Sequence, residues 1–278
     1  MALHYTCEPH VIDRTLENLK EAGLVAPEAA FSHDAPGGLR REVAYRDFDF
    51  LARLGRTAEA ETMRSILAWL KGQGLVPSSA SYDEDAFAQL RQEVKVRFAI
   101  PGTSISPVME RLLYMLSSVK RPRRVLGLGT YCGYALVWAI GPTCGPGRVY
   151  EAERVLGIDI DGEATQRARE NLGTLAHADH VELITEDGLA AVERLAGPFD
   201  TVFLDVESRE LGKGLYLPLL EKLYDKLEDG GWVLAHDTVV PPFATDLAPY
   251  LAYVRDKEQF RESISFDVDA YGLELTIK

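Results

Sequence analysis

The chain is poor in cysteine, poor in positive charge and free of long apolar runs. Its three cysteines, Cys7, Cys132 and Cys144, are an odd set with no C-x-x-C spacing. That disfavours a disulfide framework and a structural zinc site, and makes a reducing cytoplasm the expected compartment. Lys and Arg number 30 against 43 Asp and Glu in 278 residues, a formal net charge of −13. Such a field repels phosphate and argues against nucleic acid as the main partner. Stretches such as Val202–Leu204 and Val233–Ala235 fall far short of the roughly 20 residues a membrane helix needs, so no membrane partner is expected. The first residues, MALHYTCEPHVIDRT, lack a basic region followed by an apolar run, and no signal peptide is read there.

What remains is a composition of 46% hydrophobic and 26% charged residues, ordinary for a globular protein of one or two domains. Two regions differ in pattern. Up to about Lys95, apolar residues recur at helical spacing: Leu16, Leu19 and Leu24; Phe48, Leu51 and Leu54; Met63, Ile66, Leu67 and Leu70. Breaks at 34–38 and at Gly72-Gln-Gly74 separate the helices. Residues 1–95 are therefore expected to form a helical extension, serving as a cap or a dimerisation surface, and 96–278 the main domain.

In the main domain short apolar strands alternate with amphipathic helices. Strands are expected at Arg124–Leu128, Val155–Ile160, Val181–Thr185, Thr201–Asp205 and Trp232–His236, with helices at Gly162–Leu172 and Tyr216–Leu227. Apolar strands separated by helices imply parallel βαβ units with ligands at the carboxyl ends of the strands. Two further strands, Ser263–Asp267 and Leu273–Ile277, are expected to close one edge as an antiparallel pair. The fold class is a doubly wound, mostly parallel, seven-stranded α/β sheet with a helical N-terminal extension.

The strand ends carry the chemistry. The first runs into Gly127-Leu-Gly129-Thr-Tyr-Cys-Gly133, where glycines let backbone approach a ligand and the next helix offers its positive end. This is not the dinucleotide fingerprint, because its third glycine falls one residue late. The second strand ends Asp159-Ile-Asp161, a carboxylate where a ribose diol would be held; Asp161 is explained as a helix cap. The third ends Glu186-Asp187-Gly188, an adenine-edge loop or a cap. Asp205 and Asp237 close the fourth and fifth strands. Adjacent strand ends lie about 5 Å apart, close enough for two carboxylates to share a divalent cation such as Mg²⁺.

The stretch Val125-Leu-Gly-Leu-Gly-Thr-Tyr-Cys-Gly-Tyr134 resembles motif I of the class I S-adenosylmethionine-dependent methyltransferases, which are Rossmann-like, and its core resembles the catechol O-methyltransferase family. The similarity runs on through Gly-Ile-Asp159, Val-Phe-Leu-Asp205 and Tyr271-Gly-Leu-Glu-Leu-Thr-Ile, covering about Phe98 to Lys278. The resemblance implies an S-adenosyl-L-methionine site made of Gly127, Gly129, Tyr131, Gly133, Asp159, Ile160, Asp187, Gly188 and Asp205. It implies Mg²⁺ ligands at Asp205 and Asp237, with His236 or Thr238 helping to hold the ion, and a segment at Ser106-Pro107 closing over the cofactor. The chain departs from the family pattern in four places. An acid is replaced by Gly127, a small hydroxyl residue by Ala135, the metal-pair asparagine by Thr238, and the base lysine by Ser208.

The activity so implied is O-methylation of a phenol- or catechol-type hydroxyl on a small molecule, with secondary metabolism the expected setting, assisted by a divalent metal. Without the metal, His236 is the candidate base, because its ordinary pKa near 6.5 suits that task. Lys213 and Tyr216 are the other proton acceptors considered, with Lys213 expected on a mobile loop between glycines. Trp138, Trp232 and Phe243 are candidate walls for an aromatic substrate or, equally, core. Alternatives are a methyltransferase fold that uses bound cofactor for a cyclisation, or a non-enzymatic homodimeric binding protein.

Overall fold

The computed structural model describes residues 45–100, 105–208, 210–269 and 271–278, with side chains from residue 59 onward. Cys7 and the stripe of Leu16, Leu19 and Leu24 lie outside the described residues, as do the side chains of Phe48, Leu51 and Leu54. Among the described residues, no helix is long and apolar enough to cross a membrane.

Helix α1 spans Tyr45–Gly72, and it stops where the sequence places glycines. Gly74 takes φ +68°, and the amides of Gly74 and Leu75 donate to the carbonyls of Lys71 and Leu70, a left-handed helix termination that glycine adopts without a Cβ penalty. Helix α2 (Glu84–Arg97) starts on Asp83, whose carboxylate accepts from the Ala86 amide. Helix α3 (Pro107–Lys120) starts on Ser106 with proline in its first turn, the placement that costs proline no hydrogen bond.

The remaining elements alternate. They are β1 (Arg124–Leu128), α4 (Tyr134–Ile140), β2 (Arg154–Asp159), α5 (Gly162–Leu172), β3 (Val181–Thr185), α6 (Gly188–Arg194) and β4 (Phe199–Leu204), then α7 (Tyr216–Leu223), β5 (Leu227–His236), α8 (Ala244–Val254), β6 (Glu262–Phe266) and β7 (Leu273–Ile277). The seven strands form one sheet in the order β3-β2-β1-β4-β5-β7-β6. β1 to β5 pair in parallel, and β7 runs antiparallel to both β5 and β6. This is the doubly wound, mostly parallel, seven-stranded sheet expected from the sequence.

Successive side chains of a strand point to opposite faces, so each strand feeds two cores. Val125, Val155, Phe203 and Leu234 join one core with α1 to α5, and Leu126, Leu156, Val202 and Val233 join the other with α6 to α8. Met63, Leu67 and Leu70 of α1 and Phe87, Leu90 and Val94 of α2 lie in the same buried cluster as Trp138 of α4. The two helices before residue 98 thus share the core of the sheet domain, and a division at residue 95 falls within α2.

A buried ionic network fastens them. Arg91 of α2 donates to Glu59 of α1 and pairs with Glu110 of α3, both at 2.8 Å, while Arg111 reaches Glu59 at 3.3 Å. The Tyr134 hydroxyl of α4 donates to the other oxygen of Glu110. Asn171 of α5 fixes the chain just after α2: its side-chain oxygen accepts from the Ala99 amide at 2.8 Å, and its amide nitrogen donates to the carbonyls of Ala99 and Cys132.

Candidate active site

The turn after β1 is built by its neighbours. The amides of Gly129 and Thr130 donate to Ile158 O, and the Tyr131 amide donates to Asp159 Oδ2 at 2.7 Å. Gly129 and Gly133 both sit at φ +80° and Tyr131 at +45°, backbone that glycine takes freely and tyrosine takes only when held. Gly127 has another role. A Cβ there would meet Leu136 Cδ1 at 2.9 Å, and one on its register partner Gly157 would meet Leu183 Cδ2 at 2.5 Å and Thr130 Cγ2 at 2.9 Å. The paired glycines make room for Leu136 and Thr130 under the turn, in the space an acid at position 127 would need. Gly127, expected among the cofactor residues, thus also makes room for the packing beneath the turn.

Around this turn the expected cofactor residues gather at the carboxyl edge. Tyr131 is 42% exposed and Ile160 71% exposed, large apolar surfaces at adjacent strand ends. Asp159, partly exposed, also accepts from the Asp161 amide. Asp161 caps α5 and Asp187 caps α6 through the Ala190 amide, as the plainer reading of each had it.

The second half of the site hangs from β4 and β5. Asp205 is fixed through its backbone amide to Leu128 O, and its carbonyl lies against Gly129. Between Asp205 and Asp237 stands Lys213, only 2% exposed. Its Nζ is 3.0 Å from Asp205 Oδ1, 2.7 Å from Asp237 Oδ2 and 3.3 Å from the Tyr216 hydroxyl. Tyr216 in turn donates to the His236 carbonyl at 3.0 Å. His236 Nδ1 faces Asp205 Oδ1 at 3.4 Å and Asp237 Oδ1 at 3.3 Å, and its buried Nε2 has no protein partner.

The electrostatics follow from this crowding. Burial by itself would lower Lys213, but the Tyr216, Asp205 and Asp237 oxygens outweigh it and hold its pKa well above the usual lysine value. Burial would likewise raise Asp205 and lower His236. The His236 and Lys213 charges instead keep the Asp205 carboxyl below its usual range, and the two carboxylates raise His236 above 6.5. These oxygens favour the charged form of Lys213, which disfavours the proton-acceptor role expected for it. Ser208 and Gly212 pair as a two-residue bridge, and the Leu211 amide donates to Ser208 Oγ. The Tyr216 pKa is pushed far up by burial, which removes it too as an acceptor.

A divalent cation fits this arrangement poorly. The ligand atoms of Asp205, His236 and Asp237 do lie within 4.8 Å of one another, as a metal centre would need. The space between the two carboxylates, however, holds Lys213 Nζ at contact distance from both. Thr238 lines a surface hollow with Val239, Val240 and Ala248, and its buried Oγ1 finds no partner.

Asp269 has no forerunner in the sequence reading, and Tyr271 figures there only as part of the closing hairpin. Asp269, 2% exposed, accepts from the amides of Tyr271 and Gly272 and from Ser106 Oγ, so it ties the start of α3 to the turn before β7. The Tyr271 ring lies 6.0 Å from that of His236. Ser106 and Pro107, the segment expected to close over the cofactor, form the capped start of α3, a helix buried from Val108 to Ser118. Trp138 and Trp232 are core, while Phe243 stands 5.7 Å from Lys213 Nζ at the mouth of the cluster. Cys132 is buried, and burial raises its thiol pKa, which fits packing and not nucleophilic attack.

Residues 126–238 match the family model described as a methyltransferase domain. Over this segment the chain is thus similar to methyltransferases. It is 31% identical over 109 residues to a catechol O-methyltransferase of Mycobacterium tuberculosis, covering 39% of this chain and 47% of that protein. It is also 31% identical over 161 residues to catechol O-methyltransferase B of Danio rerio, covering 54% of each. The chain thus spans about half the length of the curated relatives it matches. In fold, the chain resembles an O-methyltransferase of Bacillus cereus solved with SAH, at 17% identity and a TM-score of 0.53 over 78% of this chain and 98% of that one.

Proposed function

We propose that the protein transfers a methyl group from S-adenosyl-L-methionine to a hydroxyl of a small molecule, with His236 as the general base. One contact carries the reading: a Cβ on Gly129 would lie 2.3 Å from the carbonyl oxygen of Asp205. The motif I turn and the charged cluster are therefore neighbours, as cofactor and proton acceptor must be for a transfer reaction.

The residues suit the cofactor. Gly129 and Gly133 leave the turn without side chains, Tyr131 and Ile160 offer exposed apolar faces, and Asp159 offers a partly exposed carboxylate for ribose hydroxyls. When bound, the cofactor supplies a methyl group on a positively charged sulfur. The protein's part is to hold the acceptor in line and receive its proton, and fixing the reactants at near-attack distance is worth about 7–11 kcal/mol. Asp205 and Asp237 orient His236 through Nδ1, which leaves Nε2 as the atom that takes the hydroxyl proton. That proton leaves as the oxygen acquires its methyl group.

Incubation with methyl-labelled S-adenosylmethionine and a panel of phenols and catechols tests the reading. Label should appear in an O-methyl product, and His236→Asn should lower kcat by about 10²–10⁴ while cofactor affinity stays. Tight cofactor binding with no transfer to any hydroxyl would refute methyl transfer, and an unchanged His236→Asn rate would refute the base.

A further inference from the structure

Lys213 does more than neutralise a carboxylate. An ammonium has three N–H donors, and here all three have oxygen partners inside the protein: Asp205 Oδ1 at 3.0 Å, Asp237 Oδ2 at 2.7 Å and the Tyr216 hydroxyl at 3.3 Å. Contacts at Ser208 and Gly212 anchor the chain that leads to it. Ser208 and Gly212 exchange backbone hydrogen bonds at 3.0 Å, and Gly212 is pressed so close to Asp246 that a Cβ would sit 2.2 Å from its Oδ2. The rings of Tyr216 and Phe243 stand 5.5 and 5.7 Å from the Nζ, within cation–π range. A bridging Mg²⁺ would need the same two carboxylates at about 2.0–2.1 Å, in space the ammonium fills.

We infer that Lys213 is the resident cation of this site, taking the place of a divalent metal between Asp205 and Asp237, so that the acceptor is engaged through one hydroxyl and not as a chelated vicinal diol. The two cations differ in a way that matters to substrate. Mg²⁺ keeps several exchangeable waters that a pair of adjacent hydroxyls can displace. Lys213, with its donors spent, has no open position to offer. A single hydroxyl presented to His236 is then sufficient, and the acceptor class is the monohydroxylated ring or alcohol as readily as the catechol. The acceptor half rests on the methyl-transfer reading above; the cation half does not.

The test uses Mn²⁺ as the probe, with the full chain freed of metal by chelator dialysis and free Mn²⁺ followed by electron paramagnetic resonance. The wild type should leave the Mn²⁺ signal undiminished, and Lys213→Ala, which vacates the space and frees both carboxylates, should bind one Mn²⁺ per chain. One Mn²⁺ bound per wild-type chain overturns the proposal, and so does a folded Lys213→Ala that binds none. If Lys213→Ala fails to give a cooperative melt by circular dichroism, the wild-type titration decides alone. The acceptor half is read separately, by kcat/KM for a phenol and a catechol of the same ring, with and without EDTA. Comparable values insensitive to EDTA support it. Activity on the catechol alone, activity lost to EDTA, or no transfer to either refutes it while leaving the Mn²⁺ result standing.

Discussion

Replacing Gly129 with alanine should damage the protein far more than the same change at Gly230, although both glycines have nearly the same backbone. Gly129 has φ +80° and Gly230 φ +74°. A left-handed conformation costs an L-residue about 1–2 kcal/mol, and the narrower unfolded ensemble of alanine returns about 0.4–1 kcal/mol. Both terms apply to both sites and cancel in the comparison. What differs is the room. At Gly230 a Cβ would meet nothing within 4 Å, whereas at Gly129 it would lie 2.3 Å from Asp205 O, 2.5 Å from its carbonyl carbon and 2.7 Å from Val206 N. Those are backbone atoms of the adjacent strand's end and cannot rotate away. Overpacking of this kind costs about 1–3 kcal/mol, so Gly129→Ala should be less stable than Gly230→Ala by about that amount. Urea unfolding followed by circular dichroism measures it, as a shift of midpoint at constant m. The movement that relieves the clash also displaces Asp205, and with it Lys213 and His236, so methyl transfer should fall in Gly129→Ala and persist in Gly230→Ala. Equal midpoints would refute the claim that the turn and the charged cluster are packed backbone to backbone.

Removing Arg91 leaves the buried Glu110 carboxylate without its ion-pair partner and Glu59 with Arg111 alone, so Arg91→Ala should cost about 3–5 kcal/mol in the same unfolding assay. Arg154→Ala, which breaks an ion pair with about half of each side chain exposed, should cost at most about 1 kcal/mol; a similar loss from both would refute the buried network. Burial pushes the Cys144 thiol up to about 12 and raises that of Cys132. In a Cys7→Ser background, a thiol reagent at neutral pH should therefore label the folded chain slowly and the urea-unfolded chain fully, and rapid labelling of the folded chain would contradict the packing. His236 is raised above 6.5, and a base must be neutral to act, so kcat/KM should climb with pH through a value above 6.5. The stability its pairing provides is present in full below the unfolded value of about 6.5 and is lost as pH rises through the folded one. An ascending limb at or below 6.5, or one that survives in His236→Asn, would be inconsistent with this assignment.

The strand ends were legible because apolar runs buried on both faces stand out between polar helices. β1, β3 and β7 fall where the apolar pattern puts them, and Asp159, Asp205 and Asp237 follow directly from those boundaries. β5 starts five residues earlier than its apolar run, at Leu227, because the polar Glu228-Asp-Gly-Gly231 stretch is still strand, paired through Gly230 and Gly231 to Lys278. Lys213 was visible as a residue but misread in its setting. Flanking glycines look like flexibility, whereas what buries the ammonium is two carboxylates that meet it only after β4 and β5 have paired. Arg91, Glu59 and Glu110 lie among helical charges that the sequence pattern does not single out, and only the packing of α1, α2 and α3 turns them inward. Asp269 has the same history, since its partner Ser106 lies 163 residues away.

The place of β7 in the sheet has a consequence for synthesis. β5 carries His236 at its end and is flanked by β4 on one side and β7 on the other, and β7 follows every other strand in the chain. A ribosome that has made residues up to His236 has produced all five parallel strands but not the partner that satisfies the outer edge of β5. Until Leu273–Ile277 arrive, that edge presents unpaired amides and carbonyls beside Trp232, Val233 and Leu234, the kind of template on which another unfinished chain can dock. Nascent chains stalled between α8 and β7 should accordingly be the aggregation-prone species, and the charged cluster should acquire its final geometry only when β7 has closed against β5.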